Sequence, residues 1–311
     1  ILNFVKGPKA SPHDIPFMGM HISGEHRYML ENMQMSRKSG DESRVLPISV
    51  IENKLEQILL TGGEDRLNEY RDELRTVAEE LGMQTEFAKI NNIISALLST
   101  HDAKVLSTDS AKALAVGNPF DKTRVELFEV LFEAIKDRYF VIRNNRNTDE
   151  ESFRLFSFFE SYFSNYIEGT EFEIDEAKAI VDSGIPMPRR DEDSHDILGT
   201  FKVLSNRAEM MKTPTSPKEL FSILSHRHSI LLEGRPHMNP GIFKTKNNRA
   251  GMTEFVDYQL VKGTLSQGFK YYAALTDPFA RAIFMMFMIS EVHPFNDGNG
   301  RVARVMMNAE L

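Results

Sequence analysis

The sequence predicts a mostly α chain with one small β element. Apolar residues recur at spacings of three and four through most of its length, the period of a helix with one buried face. Proline, glycine and asparagine punctuate these segments at intervals suited to helices of ten to twenty residues. Only the stretch around Gly241 loses the helical period and carries turn-forming residues instead.

Taken in order, residues 1 to about 46 hold Pro8, Pro12, Pro16 and the polar stretch Ser36 to Ser43, and read as an irregular arm. Helical spacing begins after Pro47 with Ile48, Ile51, Leu55, Ile58 and Leu59. Thr61-Gly62-Gly63 breaks it, a charged helix follows over Glu64 to Leu81, and another covers Thr85 to Leu98. Asn118-Pro119 marks a boundary, which gives a mostly helical accessory region over 1–120 and a second domain over 121–311. Thr123 to Tyr139 is the next amphipathic helix. Phe153 to Ile167 is a stronger one, with an apolar stripe of Leu155, Phe156, Phe159, Phe163, Tyr166 and Ile167 and a capping glycine at 169. Pro186 to Asp193 reads as an exposed link, and His195 to Met211 and Lys218 to Leu232 as helices. A short hairpin is expected with Gly241 to Thr245 on one side of the turn Lys246-Asn247-Asn248-Arg249. Asp277-Pro278 then opens an apolar helix to Val292, whose Met285, Met286 and Met288 suit adaptable core packing.

Composition narrows the function classes. The 311 residues carry a net charge of −8, 41% hydrophobic and 26% charged residues, and no cysteine. That balance opposes disorder and a general polyanion or anionic-membrane binder. Absent cysteines exclude disulfide scaffolds, thiol catalysis and cysteine metal sites. The longest apolar run, Ala282 to Ile289, falls well short of the ~20 residues that cross a bilayer. A cytoplasmic chain, trimmed or processed at an N-terminus that lacks methionine, is the expectation.

Chemistry concentrates in His293-Pro294-Phe295-Asn296-Asp297-Gly298-Asn299-Gly300-Arg301-Val302-Ala303-Arg304. Pro294 ends the preceding helix, Gly298 and Gly300 permit a tight turn, and a new helix starts near Arg301. Converging N–H groups at a helix start form an anion site suited to phosphate. Arg301 and Arg304 share a face above it, Asp297 is an oxygen ligand suited to phosphate-bridging magnesium, and His293 is a base titrating near neutrality. Rival motifs fail. Gly298-Asn299-Gly300-Arg301-Val302-Ala303 matches G-x-G-x-x-A, but helix rather than strand precedes it, and the eight residues that follow Ala303 here hold no ribose-binding acid at the required spacing. An EF-hand from Asp297 would place Asn308 where Glu is required.

These twelve residues resemble the signature of the Fic (filamentation induced by cAMP) family, H-x-F-x-[DE]-G-N-G-R-x-x-R, at every defined position. The resemblance implies a Fic-type helical bundle with a β-hairpin flap, and transfer of AMP from Mg-ATP to a Ser, Thr or Tyr hydroxyl of a target protein. By position, it makes His293 the general base, Phe295 a core anchor, Asp297 the Mg²⁺ ligand and Gly298, Asn299 and Gly300 the phosphate cradle. Asn299 and Arg301 would steady phosphates and Arg304 would address the γ-phosphate. The Doc-type branch, which phosphorylates, has Ala and Lys at the positions of Gly298 and Gly300, so nucleotidylation is favoured.

Ser164-Asn165-Tyr166-Ile167-Glu168-Gly169 fits the family's [ST]-x-x-x-E-[GN] inhibitory motif. A carboxylate at a helix C-terminus opposes the macrodipole and calls for a cation. The resemblance names Arg304, with the inhibitory helix at about 153–169 restraining the signature loop at 293–304. Ile242, Phe243 and Lys244 fall in the region resembling the target-docking flap, and residues 227–250 carry a local excess of four positive charges over an otherwise acidic chain. His226, His228 and His237 do not share a helix face and read as ordinary core or surface histidines. Other readings on the same fold are removal of AMP, transfer of another nucleotide, or a nucleotide-binding regulatory module without turnover. Homodimers occur among members, and C-terminal residues beyond Leu311 are expected to complete the domain.

Overall fold

A computed structural model describes residues 10–36, 43–99, 103–141, 144 and 146–311. The start of the chain and Arg37 to Glu42 of the polar stretch lie outside these residues. The chain divides into two compact units, Ile1–Pro119 and Phe120–Leu311. Its described residues form thirteen α-helices and two small antiparallel hairpins, so the mostly α class holds. Among them, no helix is long and apolar enough to cross a membrane.

In the first unit the expected irregular arm contains a hairpin and a helix. Strands β1 (Ile15–Phe17) and β2 (Met20–Ile22) pair antiparallel across Met18-Gly19, both at positive φ, and α1 (Glu25–Glu31) follows. Each strand is too short to show a period, which is why the sequence pattern missed them. Helix α2 (Ile48–Leu81) carries one kink, at Gly63 with φ 74° and ψ −176°, where the sequence placed its break. Helices α3 (Gln84–Leu97) and α4 (Asp109–Ala115) complete the unit around Leu55, Leu67, Leu74, Ile90 and Ile94. Glu52 is buried on α2, yet its carboxylate accepts from the backbone N–H groups of Ser107 (2.7 Å) and Thr108 (2.8 Å), leading into α4.

The second unit is a bundle of α5 (Lys122–Ile135), α6 (Glu150–Ile167), α7 (Ile174–Ser183), α8 (Asp191–Leu204), α9 (Arg207–Met210), α10 (Pro217–Leu231), α11 (Val261–Ala274), α12 (Pro278–Val292) and α13 (Asn299–Asn308). Apolar α12 runs through the core: Ala280, Phe284, Met285, Met288, Ile289 and Val292 are buried against α5, α11 and α13. Asp277 caps it by accepting from the N–H groups of Phe279 and Ala280, and Pro278 occupies its first turn.

Three expectations are corrected here. The helix expected from His195 begins at Asp191, because Asp191, Glu192 and Asp193 favour a helix start by charge. It stops at Leu204, where Asn206 caps the separate α9 through its side chain. The hairpin lies C-terminal to its expected place, with β3 (Arg249–Ala250) against β4 (Thr253–Glu254) across Gly251-Met252, while Gly241–Thr245 is not a strand. The aromatic stripe of α6 is not its buried face. Leu155, Phe163, Tyr166 and Ile167 are exposed, whereas Ser157, Ser161, Ser164 and Asn165 are buried. Their partners are on α8: the Ser161 hydroxyl donates to Ile197 O (2.9 Å), and Asn165 Nδ2 donates to Thr200 Oγ1 (3.1 Å). Small polar side chains, bonded mainly to backbone carbonyls of α8, bring the two helices together, and Ser164 lies on that inward face. The buried Oδ1 of Asn165 is left without a hydrogen-bond partner among the described residues.

Candidate active site

The site is built where α12 ends and α13 begins. His293 ends α12 in a left-handed conformation (φ 47°), Phe295 plugs the core, and Gly298 precedes α13 at φ 69°. Leu232 would lie 2.6 Å from a Cβ at Gly298, so both conformation and space require glycine there. No side chain caps α13, which leaves its first-turn N–H groups available to an anion.

The intervening loop is held by its carbonyls. Lys244 Nζ donates to Val292 O (3.4 Å) and Lys244 N to Pro294 O (2.9 Å). Asn248 Nδ2 and Asn299 Nδ2 each donate to Phe295 O (2.9 Å), and Asn299 Oδ1 accepts from Phe295 N–H (2.8 Å). The buried Asn299 side chain thus clamps the peptide of Phe295, and its contribution toward an anion is its backbone N–H. Lys244 is likewise buried, and desolvation lowers its pKa to about 8. Its aliphatic neighbour Ile242 is exposed, and Phe243 packs edge-on against Phe221 and beside Phe295.

His293 stacks on Phe255 with ring centroids 3.4 Å apart. Its Nδ1 lies 2.5 Å from Ser290 O, and a carbonyl only accepts, so Nδ1 carries the proton. Among the described residues nothing occupies the Nε2 lone pair. Burial lowers the pKa of this imidazole below its ordinary value, outweighing the carbonyl that favours the charged form. The geometry therefore supplies a neutral base oriented by its backbone partner.

Arg301 and Arg304 have different surroundings. Arg301 is 3% exposed, with Nη1 2.6 Å from the buried Asp196 carboxylate of α8 and a buried Nε that has no hydrogen-bond partner. Asp196 is also gripped by Arg235, through Nε at 3.1 Å and Nη2 at 2.7 Å. Arg304 points to α6: its Nε donates to Ser164 Oγ (2.8 Å), and its Nη2 to Ser164 O (2.9 Å) and Glu168 Oε1 (2.5 Å). A Cβ at Gly300 would fall 2.2 Å from Glu168 Oε1, so this carboxylate lies against the first turn of α13. That turn and Arg304 together supply the positive partner that a carboxylate at the end of α6 requires.

Asp297 keeps its carboxylate 38% exposed at the mouth of the loop, oriented by its acceptance of the Gly298 N–H at 2.7 Å. Among the described residues no group of three or more His, Cys, Asp or Glu side chains could hold a metal ion. One exposed carboxylate beside an uncapped helix start suits a magnesium ion completed by phosphate oxygens and water.

The structure thus brings His293, Asp297, Gly298, Asn299, Gly300, Arg301, Arg304, Ser164 and Glu168 to one place, while Ile242 and Lys244 belong to the segment behind the loop. The local positive excess over residues 227–250 is largely internal. Arg227 is fully buried on Glu209, Lys244 is buried, and Arg235 pairs with Glu192, Asp193 and Asp196. Asp196 and His228 were missed as site residues. Each contacts the signature from a distant part of the chain, and only the adjacent histidines left a visible, uninformative mark in sequence.

Residues 220–311 match the model of the Fic/DOC family. Protein adenylyltransferase fic-1 of Caenorhabditis elegans is 26% identical over 153 residues, covering 47% of this chain and 30% of that protein. A Fido domain-containing protein of Dictyostelium discoideum is 30% identical over 79 residues, covering 24% of this chain and 55% of that protein. The chain therefore spans about a third and about half of these two relatives. Among solved structures, Fic-1 (residues 134–508) of C. elegans aligns over 91% of this chain and 83% of its own, at 16% identity and TM-score 0.42. A Fic family protein of Desulfovibrio desulfuricans aligns over 62% of this chain and 59% of its own, at 17% identity and TM-score 0.42. The segment similar to the Fic/DOC family, residues 220–311, contains the whole signature loop and the start of α13.

Proposed function

We propose that the chain transfers AMP from ATP to a hydroxyl of a target protein and is restrained by its own α6. The observation that carries this reading is the convergence of a neutral His293 with a free Nε2, the uncapped start of α13, and an Arg304 already engaged by Glu168. His293 Nε2 takes the proton of the attacking hydroxyl. The hydroxyl oxygen forms a bond to the α-phosphorus as the bond from that phosphorus to the bridging oxygen breaks, and pyrophosphate leaves. First-turn N–H groups of α13 receive phosphate oxygens, and the orphaned Nε of Arg301 fits a site completed by an anion. Asp297 would hold magnesium, which supplies charge neutralisation on the phosphates. Most of the acceleration then comes from positioning and electrostatics.

Restraint follows from competition. Glu168 is an anion on the same helix start and the same arginine that a polyphosphate would use. While it is there, Arg304 is unavailable to the terminal phosphate.

The test uses ATP labelled at the α- or the γ-phosphate, with magnesium and with Glu168→Gly to release the restraint. Label from the α-position retained on denatured protein, and lost in the His293→Ala background, is the expected result. Retention of γ-label instead would identify phosphoryl transfer, and no label from either would remove the transferase reading.

A further inference from the structure

His228, on α10, is fully buried and lies directly behind the signature loop. Its ring is face-to-face with Phe295, centroids 3.8 Å apart and planes within 3°. Both nitrogens are engaged by backbone. Gly241 N–H is a donor 2.9 Å from Nδ1, and Asp297 C=O is an acceptor 2.9 Å from Nε2. These partners fix the tautomer: Nδ1 is bare and Nε2 carries the proton. With a donor on one nitrogen and an acceptor on the other, both bonds are made by the neutral ring.

The Asp297 carbonyl belongs to the peptide that joins Asp297 to Gly298. On the opposite edge of that peptide, the Gly298 N–H donates to Asp297 Oδ1 at 2.7 Å. One planar unit is therefore held by His228 on its carbonyl side and holds the Asp297 carboxylate on its amide side. Planarity transmits orientation across it. Nothing else in the described structure donates to the Asp297 carbonyl. The same ring reaches Gly241, at the head of the segment whose Lys244 and Asn248 secure the Val292, Pro294 and Phe295 carbonyls.

We propose that His228 is a positioning residue for the metal-binding carboxylate: through the Asp297–Gly298 peptide it aims Asp297 toward a magnesium–nucleotide. The inference rests on the nucleotide reading of the site and extends it to a residue outside the signature. Partners that orient a ligand in this way typically contribute 10- to 100-fold to metal affinity. The glutamine carboxamide offers a donor and an acceptor about as far apart as the two ring nitrogens, whereas leucine fills the space with neither.

The experiment measures binding of a fluorescent ADP to the whole chain with and without Mg²⁺, alongside thermal unfolding of each variant. In wild type, Mg²⁺ is expected to tighten binding. His228→Leu is expected to lose about tenfold of that magnesium-dependent gain, with metal-free binding unchanged, and His228→Gln is expected to restore part of it. An equal magnesium gain in wild type and His228→Leu overturns the proposal, as does equal impairment of the Leu and Gln variants, which would mark a packing role. Wild type that binds no nucleotide overturns the reading of the site, and the proposal with it. If His228→Leu does not fold, ¹⁵N spectra of histidine-labelled wild type decide, with His228→Gln assigning the resonance. A neutral ring protonated at Nε2 supports the proposal, and any other form refutes it.

Discussion

Replacing Glu168 by glycine should raise AMP transfer by about one order of magnitude. Arg304 is held by three hydrogen bonds, two to Ser164 and one to Glu168, and only the last pairs opposite charges. A hydrogen bond between charged groups contributes roughly 1.5–3 kcal/mol net. The Glu168 side chain is 35% exposed, so screening places this pair at the low end, about 1.5–2 kcal/mol. At 1.4 kcal/mol per factor of ten, releasing it enlarges the fraction of Arg304 free to meet a terminal phosphate by about 10- to 30-fold. Apparent nucleotide affinity and turnover both follow that fraction. The assay is transfer of α-labelled phosphate to protein under Mg²⁺, initial rates against ATP concentration, with Glu168→Gln as a charge-only control. Glutamine keeps a hydrogen bond and should give an intermediate rise. A change of less than twofold in Glu168→Gly, in protein that melts as wild type does, would refute competition for Arg304 as the restraint.

Gly300→Ala should act on the same contact from the other side. Its Cβ falls 2.2 Å from Glu168 Oε1 and 3.1 Å from Arg304 Nη1, so the carboxylate must withdraw. Transfer should rise in the single variant and gain nothing further in the Glu168→Gly background, and additive effects in rate measurements would count against it. Asn299→Ala removes both bonds to the Phe295 peptide and leaves its buried N–H unsatisfied, at about 2–3 kcal/mol. Calorimetry should show a Tm lower by roughly 5–10 °C, and a loss under one degree would contradict the clamp. His293 has a depressed pKa in the folded state, so the unfolded chain binds its proton first as pH falls. This imidazole therefore lowers stability as pH drops through the ordinary histidine range toward its folded value, and has no effect above that range. Transfer should follow the neutral ring, flat near neutrality and declining on the acid side. A rate profile with its acid limb above the ordinary histidine value would exclude the assigned base.

Much of this site is legible without coordinates because its chemistry is local. A proline that stops a helix, two glycines that admit a turn and two arginines one turn apart all lie within twelve residues, and their meaning depends on backbone rules alone. Glu168 is 136 residues from Arg304, and sequence alone connects them only through a resemblance. Local pattern misled where burial depended on a partner helix. The aromatic stripe of α6 looks like a core face, yet serines and Asn165 are what α8 accepts, because small side chains that reach its backbone carbonyls allow the closer approach. The expected hairpin was displaced for a related reason, since Lys244 and Asn248 bond to the loop carbonyls instead of to a paired strand.

The sequence by itself determined the helical class, the end of α12, the start of α13 and the chemical types gathered between them, since each follows from dihedral restriction and donor inventory within a few residues. Tertiary structure alone decided what those groups face. It buries Arg301 on Asp196, turns Arg304 toward Ser164 and Glu168, leaves Nε2 of His293 free, and sets His228 behind Asp297. Orientation and burial are properties of packed neighbours far apart in the chain, and no local period encodes them.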